Sequence, residues 1–441
     1  MDASIAVIGA GISGLSAGFR LKQAGCKPVI FEKESYAGGR MSSESIDGFI
    51  MDKGAYTFPE FHRCLRDFVN TLGMDASLVE TTGSASTFSG GKRYPIKIGS
   101  PTDFLGQKLL SLRNKKDMIK LYLYAQSLGK ALNLAKPTEK TFQLESQSAA
   151  DYLIEKYDEE ILEKVAYPIF AELFLGVPEH NSKIAFLATL KNLSKFKIFA
   201  FDEGMGSLPD RLARDLDVRL DTPVVQIRPR GGTYEVEVGG AHAGSHMVDA
   251  IIFAAPLHML QNTLSGLPKA LREYVDSVRY APSIVVALAL DKEYPHTSMI
   301  NNVLRKDFGV IGNIVFDRHK SPRRVPEGKD LVTAVLCEKA SRTLFEASEN
   351  HMIDMVLGEM DRLFPGISQK VLFARVYRWP FGALQLGPGI LSKQVSVRKD
   401  LPSAMENFYF AGDGLYRSSL ETSFRTGVSA ARQIIEKLQS Q

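Results

Sequence analysis

Two short segments at opposite ends of this chain constrain its fold more than anything between them. Near the N-terminus, apolar Ile5–Ile8 runs into Gly9-Ala10-Gly11-Ile12-Ser13-Gly14, and a second apolar strand, Pro28–Phe31, ends at Glu32 and Lys33. In a strand–turn–helix unit, Gly9 permits the tight turn, Gly11 lets backbone approach a pyrophosphate, and Gly14 lets helix lie close on strand. Free N–H groups and the dipole at the helix start favour phosphate charge, and a carboxylate at Glu32 accepts hydrogen bonds from a ribose diol. Strand, glycine turn, helix, strand and acid occur in order, so the segment predicts a dinucleotide clamp built from Gly9, Gly11, Ile12, Ser13, Gly14, Glu32 and Lys33.

At the far end comes Phe408-Tyr409-Phe410-Ala411-Gly412-Asp413, followed by Glu421-Thr422-Ser423 before a last helix, Ser423–Leu438. An NAD domain does not usually need such an element; a buried FAD often does. The separation predicts one FAD held by both ends of the polypeptide. Asp413 is expected to accept bonds from the ribityl chain or to sit by the pyrophosphate. Backbone N–H groups near Thr422 and Ser423 are expected at the pyrimidine edge of the flavin, where a helix start stabilises charge gathering at N1 and O2. Helix capping by Thr422 or Ser423 is compatible with that role.

Gly38-Gly39-Arg40, then Asp52-Lys53-Gly54-Ala55, follow Glu32 closely. The glycine pair lets backbone lie flat against a cofactor, and Arg40 brings a fixed charge with planar donors. With these segments the chain resembles the flavin monoamine oxidase superfamily, which includes amine oxidases, phytoene desaturases and protoporphyrinogen oxidases. The resemblance implies that Gly39, Arg40 and Met41 lie near the flavin and its phosphates, and that Val224 touches the adenine through backbone, although any buried strand would look the same. The spacing of Asp413 and Gly427, Ala149–Leu153 through Tyr167–Phe170, Tyr280–Ser283, and Tyr377–Pro380 with Gly387-Pro388-Gly389 are closest in pattern to protoporphyrinogen oxidases. The fold implied is α/β: a Rossmann-like FAD-binding domain of the GR2 type, a mixed-sheet substrate domain and a helical subdomain.

The 441 residues suffice for two or three domains. The FAD-binding domain is expected to be discontinuous, over 1–58, 201–256 and 403–441. The stretch 59–200 reads as a helical, substrate- or membrane-type subdomain with few strand patterns, Asp103–Leu132 and Ala149–Leu175 carrying helical periodicity. Residues 257–402 read as a mixed-sheet substrate domain. Tyr280–Leu290, the most apolar run, has eleven residues, too few to span a bilayer as a helix, and reads as a buried strand. Arg318–Arg324 reads as a solvated basic loop.

Fifty-four basic residues nearly balance 50 acidic ones, for a net charge of +4, which gives no reason to expect nucleic-acid binding. Cys26, Cys64 and Cys337 form no CxxC pair and fit a reducing compartment. The first strand begins a few residues after Met1, so no leader is expected, and the location is read as cytoplasmic, with peripheral membrane contact left open. His242 and His246 flank a glycine-containing loop, so no metal site is expected.

The resulting expectation is an FAD-dependent oxidase or dehydrogenase that removes hydride from a C–N or C–C unit of an apolar small molecule, pyrrolic and heterocyclic donors included. Dioxygen or another acceptor reoxidises the flavin. Many amine oxidases carry a lysine near flavin N5; the matching position here is Ser283. No cysteine lies in the C-terminal region, so FAD is expected to be noncovalent. Hydride transfer needs an aligned donor and a dry wall, for which Tyr56, Trp379, Phe381 and Tyr416 are the candidates. Amine oxidase or carotenoid-type desaturase activity is one alternative; a non-redox isomerase or assembly protein retaining flavin is another. The oligomeric state is left unassigned.

Overall fold

The computed structural model describes residues 3–193 and 197–440, so the ends of the expected first and last segments and residues 194–196 of the helix-rich stretch lie outside the described residues. A five-stranded parallel sheet forms the base, in the order Asp217–Arg219, Lys27–Phe31, Ser4–Ile8, Ala250–Phe253, Phe408–Phe410. Its central strand is apolar at every position from Ile5 to Ile8 because both faces are covered. Alternate side chains take opposite sides. Ile5 and Val7 join a core with Leu15, Ala17, Ala431 and Ile434 from two helices, Ile12–Gln23 and Leu420–Gln439. Ala6 and Ile8 face the other way, into a core with Ile227, Val236 and Val248. Those residues come from an antiparallel meander, Val224–Arg230, Thr233–Val238 and Gly244–Val248. The last meander strand, Gly244–Val248, leads directly into Ala250–Phe253 of the parallel sheet.

The two covering helices cross unusually close. A Cβ on Gly427 would stand 2.0 Å from the Ser13 carbonyl oxygen, and Ser16 Oγ donates to the Phe424 carbonyl at 3.2 Å. The first and last helices are thus seated on one another before any cofactor is considered.

The second sheet has seven strands, in the order Val371–Leu384, Tyr280–Leu290, Asp330–Leu336, Ile311–Phe316, Ile300–Val303, Ser84–Ser89, Lys92–Lys97. All eleven residues of Tyr280–Leu290 are buried, as a central strand covered on both faces requires. Its last two strands correct the reading of 59–200 as helical: Ser84–Ser89 and Lys92–Lys97 make a hairpin about Gly90-Gly91, and Ser84–Ser89 pairs in parallel with Ile300–Val303. A small sheet, Phe58–Pro59, Ile198–Phe201 and Leu78–Glu80, also draws on this stretch. The other described elements of this stretch are helices. The single periodic run over Asp103–Leu132 divides into Pro101–Gly106 and Leu112–Ser127, because Ser111 accepts from the Asn114 N–H and starts a new helix.

The basic segment Arg318–Arg324 is the largest departure from expectation. Lys320 and Arg324 are fully buried, not solvated. Asp52 Oδ2 accepts from Lys320 at 2.8 Å and from Arg324 at 2.7 Å, Asp317 pairs with Lys320, and Arg324 also donates to the Phe201 carbonyl at 2.7 Å. Charge can leave water here because each ion has an opposite neighbour and each carboxylate further donors. The cluster joins Asp52, in a hairpin strand following the glycine pair, to a loop of the seven-stranded sheet.

Candidate active site

The glycine turn is built as its sequence demands. Gly9 has φ +100° and its N–H donates to the Phe31 carbonyl at 2.8 Å. A Cβ on Gly14 would stand 2.0 Å from the Gly9 carbonyl oxygen, so only glycine allows this helix to begin here. Gly11 is different: a Cβ there meets nothing within 4 Å. Gly39 lies across from it, its own Cβ position 3.7 Å from the Gly11 Cα, and the Gly38 N–H donates to the Ala10 carbonyl at 2.8 Å. The helix start and the Gly38-Gly39 turn lie side by side, Gly11 and Gly38 forming an isolated parallel bridge, and the face of Gly11 is left bare of side chains at a helix start whose N–H groups favour phosphate charge.

The other clamp residues divide into lining and support. Glu32 is buried, its Oε2 accepting from the Ala10 N–H at 2.7 Å and Oε1 from the Glu34 N–H at 3.0 Å. Burial pushes its carboxyl up, and the two backbone donors partly oppose this. Lys33 is exposed beside Glu34. Val224 starts the meander two residues after Thr222, whose N–H donates to the Glu32 carbonyl at 2.7 Å, so Val224 and Glu32 share one end of the site. The side chains of Ile12 and Met41 lie in the core under the sheet, so only their backbone is available to a cofactor. Ser13 Oγ is 3.5 Å from the Cβ position of Gly412, which brings the two distant motifs into contact.

Asp413 has side-chain partners that the sequence does not disclose. Its two oxygens are taken by the Arg40 guanidinium, at 2.9 and 3.1 Å, and Ser418 Oγ adds a bond to Oδ2 at 2.7 Å. It therefore acts through Arg40. Arg40 Nη1 also donates to the carbonyls of Phe381 at 3.2 Å and Gly382 at 2.8 Å, and the Arg40 carbonyl accepts from the Ala55 N–H at 2.8 Å. One side chain thus fastens the N-terminal turn, the segment after the C-terminal strand and the end of the seven-stranded sheet.

The start of the last helix is also corrected. Ser419 is its cap: Ser419 Oγ accepts from the Thr422 N–H at 3.1 Å, and its carbonyl from the Ser423 N–H at 2.9 Å. These two N–H groups are spent inside the helix, and the first-turn donors left by helix geometry are those of Leu420 and Glu421. The Glu421 carboxylate is turned away, accepting from the Cys64 and Leu65 N–H groups at 3.1 and 3.0 Å and so holding the helix Arg63–Thr71.

Of the four expected wall residues, two lie beside Arg40. Trp379 Nε1–H donates to the Lys53 carbonyl at 2.8 Å and is registered opposite Ser283. The Phe381 ring stacks on His258 at 5.3 Å and meets Tyr280 edge-on at 5.5 Å. Tyr416 follows Asp413 in a turn, but its ring lies under Arg398 at 4.4 Å. Tyr56, one residue past Ala55, donates to Glu172, a residue that sequence reasoning missed. The available signal was a single carboxylate in the apolar run Tyr167–Phe174.

Buried polar atoms next to this joint lack protein partners: Tyr280 Oη and His258 Nδ1. Burial and the Asp413 charge push the Tyr280 phenol well above its usual range, so it stays a neutral donor. A helix start with an unobstructed glycine, a buried carboxylate at the end of the second strand, a guanidinium and orphaned polar atoms along an aromatic wall fit a bound FAD. Among the described residues no cluster of His, Cys, Asp or Glu could hold a metal ion.

A five-stranded parallel sheet and a separate seven-stranded sheet, fastened together at such a site, have the architecture of a flavin-dependent oxidoreductase. The chain belongs to the flavin containing amine oxidoreductase family, whose model matches residues 12–435. It is 22% identical to protoporphyrinogen oxidase 2 of Arabidopsis thaliana, over 99% of this chain and 94% of that protein. It is also 22% identical to coproporphyrinogen III oxidase of Staphylococcus aureus, over 99% and 100%. Cyclohexylamine oxidase from Brevibacterium oxydans IH-35A shares the fold, with a TM-score of 0.76 and 18% identity over 100% of both chains. The protein is an FAD-dependent oxidoreductase, as the two clamp motifs predicted.

Proposed function

We propose that the protein oxidises a largely apolar, cyclic, nitrogen-containing molecule of the porphyrinogen type by removing hydride from a C–N or C–C unit, and that dioxygen or another small acceptor completes the cycle. The observation that carries this reading is the bond from Arg40 to the Phe381 and Gly382 carbonyls, which sets an aromatic strand end directly at the cofactor joint. Bound FAD supplies the two-electron acceptor. The protein binds and orients the donor and keeps water away, the donor carbon being held about 3–3.5 Å from its acceptor. Trp379 and Phe381 serve as walls, their backbone and indole N–H pinned so that the rings hold position. Gly9, Gly11, Gly39, Arg40, Glu32 and Val224 hold the cofactor, Arg40 with Asp413 behind it. FAD-binding is assigned to 1–58, 201–256 and 403–441, and substrate binding to 257–402 together with the hairpin drawn from 84–97.

Ser283 stands where many amine oxidases carry lysine, which favours a donor other than a simple amine. The C-terminal region carries no cysteine to attach the flavin, which supports noncovalent binding. Anaerobic stopped-flow reduction tests the reading, with coproporphyrinogen III, protoporphyrinogen IX and benzylamine compared side by side. Bleaching by the porphyrinogens supports it. Bleaching by benzylamine alone makes the protein an amine oxidase, and a flavin that no donor bleaches assigns it to the non-redox class.

A membrane surface is proposed as a further partner. Leu112–Ser127 buries Asn114, Met118, Leu121 and Ala125 and turns Leu112, Ile119 and Leu123 outward. Lys108, Arg113 and Lys116 are exposed beside them. An exposed apolar stripe among basic residues suits the boundary of an anionic bilayer. No helix among the described residues is long and apolar enough to cross one.

A further inference from the structure

Tyr56 and Glu172 meet where the substrate sheet, the glycine-turn segment and the helix Tyr167–Phe174 converge. Tyr56 is buried against Ala85, Val285, Met299 and Val335 of the sheet. Its neighbour Ala55 is bonded to the Arg40 carbonyl, one residue from the cofactor joint. Glu172 projects from the helix, and the helix end is pinned by Gln385, whose Nε2 donates to the Phe174 carbonyl at 2.9 Å, close in sequence to Phe381. Glu172 Oε1 accepts from the Tyr56 hydroxyl, while Oε2 is out of water with no protein partner.

The charges around this pair are committed elsewhere. Lys320 lies 5.3 Å over the Tyr56 ring but is bound by Asp52 and Asp317. On the neighbouring turn, Arg305 holds Glu163 at 2.6 Å and Glu179 at 2.7 Å. Glu172 is left as a carboxylate with no counter-charge and one lone-pair oxygen unused. A merely structural carboxylate would be expected to use both oxygens, as Asp52 and Asp413 do.

We propose that Glu172 Oε2 is the proton acceptor of the oxidation and that Tyr56 is its positioning residue. The inference rests on the oxidative reading above. Desaturating a C–N or C–C unit removes two hydrogens. One C–H bond breaks with its electron pair leaving as hydride to the flavin, so the donor loses two electrons and the flavin gains two. The adjacent N–H or C–H bond releases its proton to Glu172 Oε2, and that bonding pair becomes the second bond of C=N or C=C. The proton then passes to solvent. Burial pushes the Glu172 carboxyl up to about 7, with the Tyr56 hydrogen bond acting in the opposite direction. A base poised there exchanges protons readily near neutral pH.

Glu172→Gln tests the proposal, because the amide oxygen keeps the bond from Tyr56 and the shape. Two measurements are paired. The first is the infrared difference spectrum of the oxidised holoenzyme across neutral pH, without donor. A protonated-carboxyl band present in the wild type and absent in Glu172→Gln is expected; a spectrum identical in both overturns the proposal. The second is anaerobic flavin reduction by coproporphyrinogen III. Glu172→Gln is expected to slow it by about 10²–10⁴-fold and to abolish its rise with pH, with FAD still bound. Tyr56→Phe is expected to keep that rise but move it to higher pH. Equal rates in wild type and Glu172→Gln overturn the proton-acceptor role alone. A wild type that no donor bleaches overturns the oxidative reading, and this inference with it.

Discussion

Arg40 and Asp413, 373 residues apart in sequence, face each other in a two-pronged ion pair, with Nη1 2.9 Å from Oδ2 and Nη2 3.1 Å from Oδ1. The pair lies at the point where the first and last segments of the chain meet, and Arg40 carries it on to the substrate sheet. Burial alone would push the Asp413 carboxyl up; the Arg40 charge and hydrogen bond, with Ser418, overcome that and hold it below the usual range. A carboxyl held low in the folded state stabilises the fold above its unfolded value, about 3.9, and that contribution disappears as pH falls through the folded one.

Replacing Arg40 separates charge from geometry. Arg40→Ala leaves a buried carboxylate unpaired, which costs about 3–5 kcal/mol and is expected to lower the melting temperature of apoprotein and holoprotein alike. Arg40→Lys keeps the charge but loses the fork that reaches both oxygens. It is expected to fold and to purify with much less flavin. Flavin absorbance relative to protein absorbance, with thermal unfolding of each apoprotein, separates the two effects.

Gly11 and Gly14 predict opposite failures. A Cβ at Gly14 would meet backbone at 2.0 Å, so Gly14→Ala is expected to destabilise the nucleotide domain whether or not FAD is present. A Cβ at Gly11 meets no protein atom within 4 Å. Gly11→Val is therefore expected to leave apoprotein unfolding unchanged while blocking the phosphate space. Titration with FAD, followed by fluorescence quenching, checks this: normal affinity in Gly11→Val would place the pyrophosphate elsewhere.

The Asp52 cluster predicts a stability loss in acid. Burial raises the Asp52 carboxyl, but Arg324 and Lys320 more than reverse this, holding it at about 2. Its contribution to folding is complete above the unfolded carboxyl value, about 3.9, and fades as pH falls toward 2. Asp52→Asn leaves two buried cations without a full counter-charge and is expected to cost about 3–5 kcal/mol at neutral pH. Denaturant unfolding from neutral pH downward should show the gap between wild type and Asp52→Asn narrowing as acid protonates Asp52. A constant gap would mean that the charge is not what stabilises the cluster.

The residues that were legible share a property: their chemistry is set by neighbours in sequence. Gly9, Gly11 and Gly14 act within one turn, and Tyr280–Leu290 is apolar throughout because both its faces are covered. What was missed depends on partners far along the chain. Lys320 and Arg324 look like surface residues until Asp52 is folded against them. The Glu421 carboxylate accepts from the N–H groups at the start of the helix Arg63–Thr71, and Asp413 from Arg40, partners that no local motif discloses. The hairpin at Ser84–Lys97 alternates weakly, and Ser84–Ser89 gains its parallel partner only from Ile300–Val303. Ser419 shows the limit of motif reading, since the capping residue lies just ahead of Glu421-Thr422-Ser423.

The helix Leu112–Ser127 yields a test of membrane contact that does not involve the active site. Leu112 is 77% exposed, Leu123 59% and Ile119 43%. Positions seven and four residues apart fall on one helical face, so the three form a stripe opposite the buried face. In water this stripe gains nothing, whereas insertion into a bilayer boundary recovers about 25 cal/mol for each Å² of apolar surface removed from water. Each exposed basic residue near an anionic surface adds about 1 kcal/mol. The purified protein is expected to co-sediment with phosphatidylglycerol vesicles, less with phosphatidylcholine vesicles, and less at high salt. Leu112→Ser combined with Leu123→Ser should abolish sedimentation without changing flavin content or melting temperature, because neither side chain contributes to the core. If the double variant still sediments, the stripe is not the contact. If the wild type ignores both vesicles, the exposed leucines serve another purpose and the protein works away from the bilayer.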